Sequence, residues 1–199
     1  MAHKSSGGTP LSHLAPHATD PVGLHVIIDT PRGSRNKFEY DEELGLFKLG
    51  GVLPAGAVFP FDFGFVPSTR GGDGDPLDVL VLLDEAAFVG CLVVARLLGV
   101  IEAEQTEEDG ETVRNDRLIA VAEKARNHKE VRSLGQLSEQ LLDEIEHFFV
   151  SYNEAKGKEF KPLGRFGPQR AERLIEEGMR RFRAEERGKK SRGAAKKRR

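Results

Sequence analysis

The hydrophobic pattern divides the chain into two parts. As far as about residue 122, apolar residues alternate with polar ones or form short runs between Gly and Pro, which predicts β-strands. The segments are residues 22–29, 37–40, 44–47, 79–83, 91–101 and 118–121. Five or six short strands separated by turns indicate a small barrel. The stretch 102–117 is too hydrophilic for a core and predicts a loop.

The final third has the period of helices. Apolar residues three and four apart over 137–152 predict an amphipathic helix, with Ser133 and Gln136 as its capping box and Gly157 beyond its end. A second helix is predicted over 168–182, because it starts at a proline and keeps its apolar residues on one face.

Charge and composition set the expected boundaries. Residues 1–21 are rich in Ser, Gly, Pro, Ala and His and predict a flexible leader, followed by a folded domain over 22–186. Residues 187–199 hold eight Lys and Arg and no acid, so they predict a basic disordered tail. Because the whole chain has a net charge of −2, the folded part is acidic. The tail is either simply solvated or binds a polyanion such as nucleic acid.

Other features indicate a cytoplasmic protein. Cys91 is the only cysteine, so an intrachain disulfide is excluded, and its apolar neighbours predict a buried, inert thiol. No apolar stretch resembles a signal peptide or reaches the roughly 18–20 residues that a membrane helix needs. We therefore expect no membrane partner.

The segment with the clearest chemistry is a cluster of three carboxylates. Asp73, Asp75 and Asp78 stand within six residues, on a Gly- and Pro-shaped loop that runs into an apolar strand. Hard cations such as Mg²⁺ prefer oxygen ligands, so this cluster indicates a divalent-metal site. The alternative is an ordinary acidic turn, which Asp-Gly pairs commonly form. The third aspartate, joined directly to a strand, favours the metal site.

This cluster resembles the signature of the soluble inorganic pyrophosphatases, and the resemblance covers residues 22–182. It also includes residues 37–39, 59–65, 147–152 and 156–158. The resemblance implies an α+β fold with a mainly β core, namely an OB-like five-stranded β-barrel with flanking C-terminal α-helices. It further implies a homo-oligomer, and Mg²⁺, with Mn²⁺ as a possible substitute.

The resemblance also implies a role for individual residues. Asp75 matches the carboxylate that activates the attacking water. The residues that match metal ligands are Asp73, Asp75, Asp78 and Asp116. Those that match phosphate-binding residues are Lys37, Arg117 and Tyr152. Asp29 and Glu39 match carboxylates that lie next to the metal- and phosphate-binding residues without binding metal or phosphate themselves.

Several positions depart from the family pattern. Asp29 replaces a glutamate, Arg117 a lysine, Gly51 an arginine, Phe63 a tyrosine and Asn153 a lysine. Two further metal-binding aspartates are expected before the strand at 118, where this chain has a longer loop. Candidates for the first are Glu104, Glu107, Glu108 and Asp109, and for the second Asn115 and Asp116. Cations on the phosphate side are therefore lost, while the three-aspartate cluster is complete.

These observations predict a metal-dependent hydrolase of pyrophosphate. Loss of phosphate-side cations leaves two alternatives open: a hydrolase of another, larger phosphoanhydride, and a non-catalytic descendant that serves as a phosphate-binding or scaffold protein. The chain has neither a G-x-G-x-x-G nor a Walker lysine motif, which argues against a dinucleotide site.

Overall fold

A computed structural model describes residues 10–107 and 109–196. Within them the strands are β1 (His17–Thr19), β2 (Val22–Thr30), β3 (Asn36–Asp41), β4 (Leu46–Val52), β5 (Asp62–Phe65), β6 (Asp78–Leu82), β7 (Leu92–Thr106), β8 (Thr112–Arg114), β9 (Arg117–Ala122) and β10 (Glu159–Phe166). The helices are α1 (Glu139–Glu154) and α2 (Pro168–Lys196). No helix in this described part is long and apolar enough to cross a membrane.

Five strands form a closed ring. β2 pairs with both β5 and β7, and the ring continues from β5 through β6 and β9 back to β7. The pairing of β6 with β9 is parallel, whereas the other pairings in the ring are antiparallel. The expectation of a mainly β, OB-like core with C-terminal helices is confirmed.

The core lies inside this ring and beneath the two helices. β6 and β9 are almost entirely buried, which explains why their sequences are continuous apolar runs. α1 contributes Leu142, Ile145 and Phe149, and α2 contributes Ala171, Leu174 and Ile175, all of them buried. These residues lie three and four apart, as the helical period predicts.

The start of α1 differs from the prediction. Its N-cap is Ser138, whose hydroxyl accepts a hydrogen bond from the Leu141 N–H at 3.2 Å. Ser133 instead precedes a short 3₁₀ turn, Leu134–Gln136, whose last residue accepts a hydrogen bond from the Arg132 N–H through its side-chain amide oxygen. The predicted capping box therefore lies five residues before the real cap.

The predicted polar loop is mostly strand. β7 continues to Thr106, and β8 pairs with its end. Glu102 and Arg117 are buried there because each is held in a salt bridge, a compensation that hydropathy does not detect.

The ordered elements also extend beyond the expected domain. β1 pairs with β2, so structure begins before residue 22, and α2 continues through Lys196, well into the predicted tail. Residues 1–9 and 197–199 lie outside the described part.

Two features position the loop that carries the aspartates. α2 passes over this loop at Gly178, whose carbonyl accepts a hydrogen bond from the Arg70 N–H at 3.0 Å. A Cβ at Gly178 would lie 2.9 Å from the Leu77 side chain and 3.2 Å from the Arg70 carbonyl oxygen, so helix and loop are in close contact. Arg70 then binds Glu185 of α2 and Glu42 at the tip of the β3–β4 hairpin.

Candidate active site

The three predicted aspartates lie together at the entrance to β6. The loop is closed by a hydrogen bond from the Gly71 N–H to the Asp75 carbonyl at 2.7 Å, and Asp73 Oδ1 accepts from the Asp75 N–H at 3.1 Å. Gly74 has φ of +88°, a conformation that favours glycine. Asp78 is the first residue of β6, so the ring fixes its position.

Two cavities flank this loop. The larger, of about 380 Å³, is lined by Asp75 and by residues of β2 and the β3–β4 hairpin, including Asp29, Lys37 and Glu39. The smaller, of about 240 Å³, is lined by Asp73 and by residues of β8 and α2. Asp78 lines both cavities. The loop therefore presents carboxylates to both of them.

The aspartates are short of positive charge. Partial removal from water, together with the charge of Asp78, raises the pKa of Asp73 to about 6. The same two causes raise the pKa of Asp75. Both side chains remain open to the cavities. Their carboxylates are therefore placed where a cation is favoured.

Asp78 is held by a buried arginine. Arg117 Nη1 lies 2.6 Å from Asp78 Oδ2, and the Arg117 side chain is only 4% exposed. Its guanidinium lies over the rings of Phe149 and Phe160, at 4.8 and 5.3 Å from their centroids. The family resemblance predicts that Arg117 binds phosphate. In the structure its guanidinium forms an ion pair with Asp78.

On the other side of the larger cavity, Lys37 is surrounded by acidic groups. Its ammonium group lies 3.2 Å from Glu39 Oε1. Burial alone would lower the pKa of Lys37, but Tyr152, Asp78, Asp29 and Glu39 raise it, so the lysine stays charged. Burial raises the pKa of Asp29 well above its usual range, and its Oδ1 finds no hydrogen-bond partner among the described residues.

A third cavity, of about 270 Å³, adjoins Lys37. It is lined by Gly51 on β4, by Tyr152 and Lys156 near the end of α1, and by Arg35. The Lys156 ammonium lies 4.4 Å from the centroid of the Tyr152 ring. A Cβ at Gly51 would meet nothing within 4 Å, so the space that a larger side chain could fill is open.

The acids of the β7–β9 segment have other partners. Asp116 accepts hydrogen bonds from Arg114 at 2.7 Å and from the Ala103 N–H at 3.0 Å. Asn115 contacts Arg117, and its amide nitrogen donates to Gln105. Glu107 forms a salt bridge with Lys158, and Asp109 is exposed in a turn. Glu104 lies on β7, paired with both β8 and β10. Glu108 lies outside the described residues.

The donor set around the aspartate loop fits a hard divalent cation. The atoms available as metal ligands are carboxylate oxygens, and the carboxyl groups of Asp73 and Asp75 have raised pKa values. Mg²⁺ takes one or two carboxylates as ligands while keeping several waters. In the described part of the chain, no group of three or more His, Cys, Asp or Glu side chains is close enough together to hold a metal ion.

Comparison with known proteins identifies the family. A family model described as inorganic pyrophosphatase matches residues 26–183. The chain belongs to the inorganic pyrophosphatase family.

The similarity to individual pyrophosphatases covers most of each chain. The inorganic pyrophosphatase of Halalkalibacterium halodurans is 38% identical over 166 residues, which are 83% of this chain and 98% of that protein. That of Nostoc sp. is 35% identical, over 84% of this chain and 96% of that protein. The solved structure of the Thermus thermophilus inorganic pyrophosphatase matches with a TM-score of 0.79 at 33% identity, covering 88% of this chain and 99% of that chain.

The region around the end of α1 differs in part from the sequence prediction. Asn153 occupies the position where the family pattern has a phosphate-binding lysine, but its side chain is buried and donates to the Phe149 carbonyl within α1. Two cations at that end, Lys156 and Arg35, are absent from the predicted set. Lys156 stands three residues after Asn153, where the helix has ended, and Arg35 lies just before β3. The Lys156-Gly157-Lys158 turn, which is part of the family resemblance, could have pointed to Lys156.

Proposed function

We propose that this member of the inorganic pyrophosphatase family hydrolyses pyrophosphate to two phosphates, using divalent metal at the aspartate loop. The proposal rests on one observation: Asp75 and Asp78 face Lys37 across a single cavity. Carboxylates that need a cation thus stand opposite a permanently charged amine. A pyrophosphate with its metal ions would place the cations at the carboxylates and its phosphate oxygens at the amine.

In the proposed mechanism, Asp73 and Asp78 would hold Mg²⁺, and Asp75 would accept the proton of the attacking water. When bound, Mg²⁺ lowers the pKa of a coordinated water and offsets the charge that develops on the phosphates. The raised pKa of Asp75 suits a general base, because a base works best when its pKa approaches the working pH. Arg117 keeps Asp78 in place through their short ion pair.

The leaving phosphate would lie toward Lys37 and Tyr152. Tyr152 Oη is buried and has no hydrogen-bond partner within the described structure, so it is free to donate to a phosphate oxygen. Lys156 and Arg35 line the adjoining cavity and would supply the positive charge that Gly51 and Asn153 do not. Asp29 and Glu39 would position the Lys37 ammonium.

The open cavity at Gly51 favours one second candidate, a hydrolase of a longer phosphoanhydride. About 270 Å³ beside the phosphate end leaves room for more than a terminal phosphate. The two candidates share the metal side and differ only in what occupies this cavity.

Phosphate release distinguishes the candidates. We expect turnover of pyrophosphate with Mg²⁺, less with Mn²⁺, and none with excess EDTA until Mg²⁺ is restored. A linear triphosphate and a nucleoside triphosphate, measured under the same conditions, test the longer-substrate candidate through their kcat/KM ratios to pyrophosphate. Metal binding without hydrolysis of any of the three would indicate a scaffold protein, and activity that persists in EDTA would exclude the metal mechanism.

Mg²⁺ as the natural metal, a homo-oligomer, a cytoplasmic location and polyanion binding by residues 187–199 stay predictions. For the last, the test is salt-dependent nucleic-acid binding before and after deletion of these residues. The Lys189 ammonium lies 2.8 Å from Glu185, so part of this basic charge is already paired within α2.

A further inference from the structure

The smaller cavity has an arginine where the family resemblance leads one to expect metal-binding aspartates. Strand β8, in the long segment between β7 and β9, brings Arg114 into the cavity wall beside Asp73 and Asp78. The approach is close: a Cβ at Gly72 would lie 2.8 Å from the Arg114 carbonyl oxygen and 3.0 Å from its Cβ. Arg114 is therefore fixed against the loop that carries the aspartates.

The Arg114 guanidinium bridges two nearly buried carboxylates. Its Nη2 lies 2.9 Å from Glu102 Oε2 and 2.7 Å from Asp116 Oδ1, and these acidic side chains are only 10% and 9% exposed. Glu102 also binds Arg170 of α2 at 2.5 Å. Glu102 and Asp116 could otherwise bind a cation here, but both are already paired with arginine side chains.

A guanidinium differs from a metal ion in one respect that matters for this site. Arginine stays protonated at every accessible pH and is tethered to the chain, so its charge neither dissociates nor depends on metal concentration. The neighbouring Asn115, which is neutral, donates to Gln105 and contacts Arg117. This side of the cavity is accordingly supplied with positive charge by the fold.

We propose that Arg114 is a built-in cation that takes the place of a metal ion on the β8 side of the active site. The inference rests on the proposed metal-dependent function and refines it. Metal would bind at Asp73 and Asp78, beside Asp75, whereas Asp116 and Glu102 are already paired with Arg114. Replacing Arg114 with a neutral residue should therefore create a metal site that the natural chain does not have.

The experiment counts bound metal without substrate. Mn²⁺ is titrated into the purified full chain, and free Mn²⁺ is followed by electron paramagnetic resonance. Arg114→Gln releases Asp116 and Glu102 from their shared partner and should bind one more Mn²⁺ per chain than wild type. Arg114→Lys keeps the charge and should bind the wild-type number.

A matched control tests whether any released carboxylate would do the same. Arg165 binds Glu139, Asp143 and Glu146 on the surface, at 2.8, 2.5 and 2.7 Å. Arg165→Gln should leave the Mn²⁺ count unchanged. An equal gain in Arg114→Gln and Arg165→Gln would overturn the proposal, as would no gain in Arg114→Gln.

Asp116→Asn provides a test that does not depend on how Arg114 variants fold. In the otherwise natural chain, this change should leave the Mn²⁺ count as it was, and a loss of one equivalent would overturn the proposal. A wild type that binds no Mn²⁺ would overturn the proposed function as well. A wild type that binds Mn²⁺ and hydrolyses pyrophosphate, with equal counts in wild type and Arg114→Gln, would overturn this inference alone.

Discussion

The aspartate loop and the β3–β4 hairpin face each other across the same cavity, but they are attached to the protein differently. The loop runs into β6, which pairs with β5 and β9 inside the closed ring. The hairpin is a separate two-stranded sheet. It is held by side chains, such as the stacked rings of Tyr40 and Phe65 and the salt bridge from Arg70 to Glu42.

The hairpin and the loop also differ in whether their charged side chains have partners. On the hairpin, Lys37 pairs with Glu39 and Lys48 with Asp41. On the loop, Asp73 and Asp75 face the cavities with raised pKa values. We therefore expect the loop, which is attached to the ring, to hold the metal, and the separately attached hairpin, whose charges are paired, to bind the substrate. The departure at Gly51 falls on the hairpin, so we expect it to affect substrate binding more than the chemical step.

Loss of the proposed base should have the largest effect. Asp75→Asn keeps the shape of the loop but removes the proton acceptor, so kcat should fall by about 10²–10⁴-fold with little change in KM. Steady-state phosphate release measures both constants. Asp143→Asn on the exposed face of α1 serves as the control. Wild-type turnover in Asp75→Asn would assign the chemistry to another group.

A cation added to the hairpin should improve binding. Gly51→Arg places a guanidinium in the open cavity beside Lys37, where one charged hydrogen bond to phosphate would raise kcat/KM for pyrophosphate about tenfold. Leu49→Arg adds the same charge to β4 outside the described cavities and should change kcat/KM little. A fall on pyrophosphate together with a larger fall on triphosphate would favour the longer-substrate candidate.

Weakening the attachment of the hairpin should have a smaller effect. Glu42→Gln removes one partner of Arg70, which still binds Glu185 at 2.9 Å. Because a partly exposed ion pair contributes up to about 1 kcal/mol, KM should rise by no more than about fivefold while kcat stays near wild type. Glu43→Gln, at the neighbouring exposed position, is the control. An effect mainly on kcat would show that the hairpin also positions the reacting groups.

The smallest effect concerns stability without metal. The folded-state pKa of Asp73, about 6, exceeds the unfolded value of 3.8. Its protonated form therefore stabilises the fold below pH 3.8, and this contribution is lost as pH rises through 6. Asp73→Asn should raise the Tm of chelated protein by about 2 °C at pH 7.5 and hardly at pH 4, since solvent screens an exposed group. With saturating Mg²⁺ the order should reverse, as scanning calorimetry can show.

Hydropathy and local spacing were enough to predict the buried strands and the aspartate loop. The runs at 79–83 and 118–121 correspond to the buried pair β6 and β9, and the loop lies where its three carboxylates indicated. Features that depend on distant partners could not be predicted in this way. The sequence of β10 has no clear alternation of apolar and polar residues. It forms a strand because it pairs with β7, which is distant in sequence. Glu102 could be buried only because Arg114 and Arg170 meet it there.

The contact at Gly178 has a consequence for how this protein could be stabilised. In an exposed helix, Gly→Ala usually adds about 1 kcal/mol of stability, because alanine loses less backbone entropy. At Gly178 the added methyl would press on Leu77, the residue before Asp78, and on the Arg70 carbonyl. Gly178 is itself buried, so the usual gain does not apply: Gly178→Ala should displace the aspartate loop, and this position should be left out of any set of stabilising substitutions.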